Sequence, residues 1–140
     1  LEILQIDGRA SASYIAEKIG LSVPAVSERI KKLQDTGIIS GFYAKVNHKR
    51  IGLDVSALIT IISESSDHYG DVIREANDNK NVIQCFSTTG NGSHVLLIKT
   101  QNTDSLEKLL RSIQSWPGVM RTETQLVLSS YKDMTPIPLN

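Results

Sequence analysis

The chain has 140 residues, with 15 Lys and Arg against 15 Asp and Glu and a hydrophobic share of 40%. That balance excludes a disordered or low-complexity protein, and no apolar run approaches the roughly 20 residues that span a bilayer, so no membrane partner and a cytoplasmic location are expected. The single cysteine, Cys85, has no partner for an internal disulfide and reads as a buried small hydrophobe.

In chain order, Leu1, Ile3, Leu4 and Ile6 carry the pattern of the last turns of an amphipathic helix, so the natural N-terminus is expected to lie upstream. Asp7-Gly8-Arg9 breaks that helix. Ser11 or Ser13 can cap the next, which lines up Ile15, Ala16 and Ile19 before Gly20 ends it. Ser22 is the expected cap of a third helix, with Pro24 tolerated in its first turn and Val23, Val26, Ile30 and Leu33 at helical spacing up to Gly37. The period then changes to two, and Ile39, Phe42, Ala44 and Val46 predict a short strand over Ile38–Val46, followed by the basic connector Asn47-His48-Lys49-Arg50.

The remainder predicts a strand (Val55–Ile62), a helix (Tyr69, Val72, Ile73, Ala76), strands at Val82–Thr89 and Val95–Thr100, a helix from Leu106 to Trp116, and a strand (Val119–Ser129). Asp104-x-x-Glu107 looks like the capping box of that second helix, and Pro117-Gly118 closes it. The order βαββαβ predicts a ferredoxin-like antiparallel sheet with both helices on one face, and an α+β fold class overall. The strands are apolar on both sides: Val55, Ala57, Ile59 and Ile61 oppose Leu58 and Ile62, and Leu96 and Ile98 oppose Val95 and Leu97. With no helix left to cover the second face, a second copy of the sheet is the expected cover, packed isologously in a homodimer.

Ala16, Gly20 and Val26 supply the small residue, the turning glycine and the buried aliphatic of a helix-turn-helix. Charge agrees with this. Residues 1–50 hold eight Lys and Arg against five acids, 8 − 5 = +3, which leaves −3 for the rest. Candidate contacts to double-stranded DNA are Ser22, Pro24, Ala25, Ser27, Glu28, Arg29, Lys31 and Lys32. Arg29 has the fork that matches guanine, Ser22 and Ser27 can reach bases or phosphates, and Lys31 and Lys32 suit the backbone. The same residues also describe an ordinary solvated helix face.

Together these segments resemble the Lrp/AsnC, or feast/famine, regulators over essentially the whole chain. The resemblance rests on Asp7-Gly8-Arg9-Ala10-Ser11, Ile15-Ala16-x-x-Ile19-Gly20-Leu21-Ser22, Val26-Ser27-Glu28-Arg29-Ile30-x-x-Leu33 and Gly37-Ile38-Ile39-x-Gly41-Phe42-x-Ala44-x-Val46-Asn47. It continues through Thr89-Gly90, Gly118-Val119-x-Arg121-Thr122-x-Thr124 and Pro136-x-Pro138-Leu139. It implies a winged-helix-like DNA-binding domain at 1–40, a hinge strand and linker at 41–52 that pairs between subunits, and a ferredoxin-like dimerisation and effector-sensing domain at 53–140. Dimers that assemble into octamers, and amino-acid effectors bound where dimers meet, are also implied.

The loop that often reads Gly-Asp-Tyr-Asp in such proteins reads Gly90-Asn91-Gly92-Ser93-His94 here, so both carboxylates are absent. Gly90, Asn91, Gly92, Ser93 and His94, with Thr122 and Thr124 on the last strand, are the candidate effector contacts. The alternatives are a plain Asn-Gly hairpin turn and cross-strand packing. No catalytic residue, cofactor or metal is expected. His48, His68 and His94 lie in separate connectors without zinc spacing, and no phosphate-binding glycine loop or nucleophile elbow is present. Two other functions are consistent with the composition: a DNA-organising protein with little sequence preference, and, more remotely, a small-molecule enzyme on a ferredoxin-like fold.

Overall fold

Serine caps and glycine stops set the helices of the N-terminal region. The computed structural model describes residues 1–133 and 136–140, and the chain falls into two units, one of residues 1–46 with 132–140 and one of residues 47–131.

In the first unit α1 spans Glu2–Ile6, α2 Ala12–Ile19 and α3 Val23–Asp35. Ser11, rather than Ser13, caps α2 by accepting from the Tyr14 N–H, and Ser22 caps α3 by accepting from the Ala25 N–H. Each serine satisfies a donor that the first helical turn leaves free. Gly20 closes α2 at φ +70, a left-handed conformation that strains any residue with a Cβ. Ile15, Ala16 and Val26 form a small core, with Ile3, Leu4, Leu21 and Ile30 packed around it.

The strand expected over Ile38–Val46 does not form. A strand is stable only beside another, and no ladder partner is provided to this stretch among the described residues. Ile38, Phe42, Tyr43 and Val46 are exposed, and the Tyr43 ring lies so close over Gly41 that a Cβ there would collide with it.

Packing divides the chain at two places. The hinge expected at 41–52 divides after Val46, and residues 132–140, expected with the second domain, belong to the first unit. The tail is retained there by α1. Gln5 Nε2 donates to the Ile137 carbonyl at 3.2 Å while the Ile137 N–H donates to Gln5 Oε1 at 2.8 Å. Lys45 pairs with Asp133 at 3.2 Å.

The second unit has the predicted order: β1 (Val55–Ser63), α4 (Tyr69–Asp78), β2 (Val82–Ser87), β3 (His94–Thr100), α5 (Thr103–Gln114) and β4 (Val119–Leu126). The strands lie in the order β2-β3-β1-β4, antiparallel throughout, as a ferredoxin-like fold requires. Ala57, Ile59, Ile61, Leu96 and Ile98 pack with Val72, Ala76, Leu106, Leu109, Ile113 and Trp116 into the core. Each fully buried isoleucine in it contributes about 1.5–3 kcal/mol.

The capping box of α5 is not Asp104–Glu107 but Asn102–Ser105. The Asn102 side chain accepts from the Ser105 N–H at 2.9 Å, and Ser105 Oγ accepts from the Asn102 N–H at 3.0 Å. A short amide one residue before the helix reaches the third amide within it, whereas Glu107 is a turn further along and pairs with Arg111. β2 ends at Ser87, short of the predicted Thr89, where its partner β3 runs out, and β4 ends at Leu126, short of the predicted Ser129.

Candidate nucleic-acid interface and effector loop

Val26, Ile30 and Leu33 recur at steps of four and three, so one face of α3 turns to the core and the rest is available. Seven of the eight predicted DNA contacts, Ser22, Pro24, Ser27, Glu28, Arg29, Lys31 and Lys32, are exposed, and Ala25 is half-buried. They do not all share one face. A step of 100° per residue sets Pro24, Glu28 and Lys31 opposite the core, with Ser27 on one flank. Arg29 and Lys32 instead border an apolar groove of about 530 Å³ that is also lined by Leu1, Ile3 and Leu4.

Among the described residues no carboxylate forms an ion pair with Arg29, Lys31 or Lys32. These side chains are therefore free of direct ion pairs, and Pro24 and Ala25 add little bulk at the end of the helix that would enter a groove of the duplex.

The effector loop is built differently from an open binding loop. Gly90 turns at φ +99 and Asn91 is exposed. Gly92 is seated on β1: a Cβ there would run into Thr60 Cγ2 and stand 3.2 Å from the Ile61 carbonyl. Ser93 is buried, its N–H donating to the Ile61 carbonyl at 2.9 Å and its hydroxyl sharing hydrogen bonds with Ser63 Oγ at 2.7 Å and His94 Nδ1 at 2.8 Å. His94 is only 1% exposed and meets the Tyr69 ring edge-on at 4.9 Å between centroids. Burial holds its pKa below the ordinary 6.5, which favours the neutral imidazole.

The predicted effector residues thus separate into two groups. Ser93 and His94 serve the interior, and Gly90, Asn91 and the exposed edge of Gly92 remain for a ligand. Thr122 and His94 both register opposite Ile61, on the helix side of the sheet, and Thr124 lies opposite Ile59 on the same side. Thr60, against which Gly92 packs, alternates to the other side. The Thr122 hydroxyl accepts from Gln114 Nε2 at 3.2 Å.

Thr60, Ser63 and Tyr69, which fix the loop from below, escaped the sequence reading. The signal that could have found them is the register of β1 against β3, which sets Thr60 opposite Val95.

Elsewhere, burial pushes the Cys85 thiol up, in keeping with a packed hydrophobe, and the His68 imidazole and Arg74 guanidinium hold Asp71 below the usual carboxylate value. Among the described residues no group of three or more His, Cys, Asp or Glu side chains is placed to hold a metal ion, and no helix is long and apolar enough to cross a membrane.

A helix-turn-helix unit with a cationic second helix, joined to a ferredoxin-like unit, defines the class of two-part DNA-binding regulators. Residues 1–40 match the profile of the winged helix-turn-helix DNA-binding domain, and residues 55–137 that of the Lrp/AsnC ligand binding domain. The chain is 34% identical to the HTH-type transcriptional regulator FL11 of Pyrococcus abyssi, over 99% of its own length and 91% of that protein. The structure of AsnC from E. coli superposes with a TM-score of 0.91 at 29% identity, covering 99% of this chain and 93% of that one. A feast or famine regulatory protein from M. tuberculosis, complexed with L-methionine, superposes with a TM-score of 0.90 at 33% identity, covering 98% and 93%. The chain belongs to the Lrp/AsnC family and is a DNA-binding transcriptional regulator of that type.

Proposed function

We propose that the protein is a cytoplasmic, sequence-specific regulator acting as a homodimer or a larger assembly such as an octamer, tuned by an amino acid or a related small molecule at subunit contacts. The observation that carries the reading is α3, an exposed helix in a helix-turn-helix with three cations unpaired among the described residues. In this reading Ser22, Pro24, Ala25, Ser27 and Glu28 approach the major groove with Lys31, while Arg29 and Lys32 contact the flanking backbone or an outer base. A dimer offering two such helices to one face of the duplex needs half-sites about 34–36 Å apart, or a multiple, in a pseudo-palindrome.

Dimerisation is supported by the sheet face that the helices leave uncovered. Phe86 is 49% and Leu58 36% exposed there, with Val95 and Leu97 half-buried beside them. An amino-acid effector is supported by the L-methionine complex of the relative at 33% identity. Gly90, Asn91 and the exposed edge of Gly92 are then the contacts, with Ser93 and His94 as the floor beneath them; Thr122 and Thr124, on the helix side of the sheet and away from the Thr60 face on which Gly92 sits, are not part of that contact set. No enzymatic activity and no cofactor are part of this reading. His48, His68 and His94 are each engaged locally, with the Leu53 carbonyl, Asp71 and Ser93.

A second reading, an effector-independent DNA-organising protein, is favoured by the loop itself, which lacks carboxylates and turns Ser93 and His94 inward. Two experiments decide. Selection of bound sequences from random duplexes should enrich a pseudo-palindrome, and a pool without preference overturns the regulator reading. Sedimentation with and without a panel of amino acids including L-methionine should shift the assembly, and an unchanged large assembly favours the organising role.

A further inference from the structure

The C-terminal peptide of the chain docks on α1. No residue of α1 is fully buried, and its Ile3 and Leu4 pack only against the edge of the Ile15, Ala16 and Val26 core. Against this helix lies Pro136-Ile137-Pro138-Leu139. Proline has no N–H, so Ile137 holds the sole backbone donor of the Pro-Ile-Pro triplet, and Gln5 of α1 takes that donor and the carbonyl of the same residue in one reciprocal pair, at 2.8 and 3.2 Å. The two prolines restrict the triplet, and Ile137, preceding Pro138, is biased to extended geometry, so little freedom remains to be lost on docking. Leu139 extends the contact into the apolar groove beside Ile3, Leu4, Ile30 and Leu33.

We propose that the Pro136–Leu139 peptide is a latch on the helix-turn-helix unit: docked, it holds α1 in place against α2 and α3; released, it loosens that unit and weakens its hold on DNA. The second clause rests on the DNA-binding reading, and the first does not. The latch also gives the unit a second tie to the polypeptide that carries the ligand-binding domain, since the chain leaves residues 1–46 for 47–131 and returns at 132.

Two variants of the full-length protein test it: Gln5→Met, which keeps side-chain length and helix propensity but removes both hydrogen bonds, and a chain lacking residues 136–140. Hydrogen exchange of the α1 amides should quicken roughly tenfold in each, the size expected for the loss of two ordinary hydrogen bonds. The unfolding midpoint read by Trp116, which lies in the other unit, should not move. Affinity for a selected duplex, by fluorescence anisotropy at fixed salt, should fall severalfold in both. Unchanged exchange in α1 overturns the latch. Faster exchange with unchanged affinity overturns its effect on DNA, and a wild-type protein that fails to bind the duplex discards the DNA reading while the exchange result still judges the latch.

Discussion

The two units are built on unequal cores. Ile15, Ala16 and Val26 are the buried centre of the first, whereas the second has the full helix face of a four-stranded sheet, with Ile59, Ile61, Leu96, Ile98 and Ile113 completely enclosed. A unit with so small a core draws its stability from caps, turns and docked segments, and loses function to changes the larger unit would absorb. The smaller core makes the DNA-binding unit the one expected to open first, in keeping with the general placement of moving elements at the low end of local stability.

The largest expected effect separates the units directly. Ile15→Ala and Ile59→Ala each remove a buried isoleucine at a cost of about 2–5 kcal/mol. Ile15→Ala should abolish DNA binding while leaving the unfolding transition of Trp116 in place, whereas Ile59→Ala should lower that transition and leave a folded protein that still binds. If Ile15→Ala moves the Trp116 transition as far as Ile59→Ala does, the units unfold as one and the contrast is lost.

Next is the open sheet face. Leu97→Glu puts a charge at its centre, and sedimentation should find dimerisation weakened at least tenfold, about 1.4 kcal/mol or more. A dimer of unchanged affinity would move the interface elsewhere.

Within α3, Lys31→Ala should weaken binding to all sequences alike and lower the salt slope by about one, while Arg29→Ala should cost about 1–3 kcal/mol and relax preference at one base if Arg29 reads it. Its position beside the apolar groove instead predicts the Lys31 pattern for Arg29 too. The smallest effect concerns pH. The unfolded chain protonates His94 near its ordinary 6.5 and the folded chain only at lower pH, so the second unit keeps its full stability above that value and loses some as pH falls below it. His94→Gln should flatten the dependence of the Trp116 midpoint on pH between 7.5 and 5, and an undiminished slope would assign it to another group.

Features that depend on neighbours in sequence were the legible ones. Ser22 three residues before the Ala25 amide, Gly20 at the end of α2, and the short apolar, β-branched runs of β1 and β3 are local signals, and each gave its element. The errors share a different cause. The Ile38–Val46 strand needed a partner that a single chain does not offer. The capping box of α5 uses Ser105 where the usual pattern has Glu or Gln, so the sequence pattern points to Asp104 and Glu107 and only backbone geometry selects Asn102. Ser93 and His94 looked like loop polar groups, yet the hydrogen bonds that turn them inward come from Ile61 and Ser63, some thirty residues away. The attachment of Ile137 to Gln5, at opposite ends of the chain, left no trace in either segment.

The strand order β2-β3-β1-β4 also sets a timetable. β1 lies between β3 and β4, and Ala57 is opposite Leu126, so the sheet cannot close until the last strand has been synthesised. The α2–α3 pair needs only residues close to one another and can form while the rest of the chain is still on the ribosome, since local contacts are made faster than distant ones. For the interval between these events, a nascent chain bears a nearly complete nucleic-acid-facing helix pair and an unsealed, apolar half-sheet. Newly made copies of this protein are most in need of a chaperone during that interval.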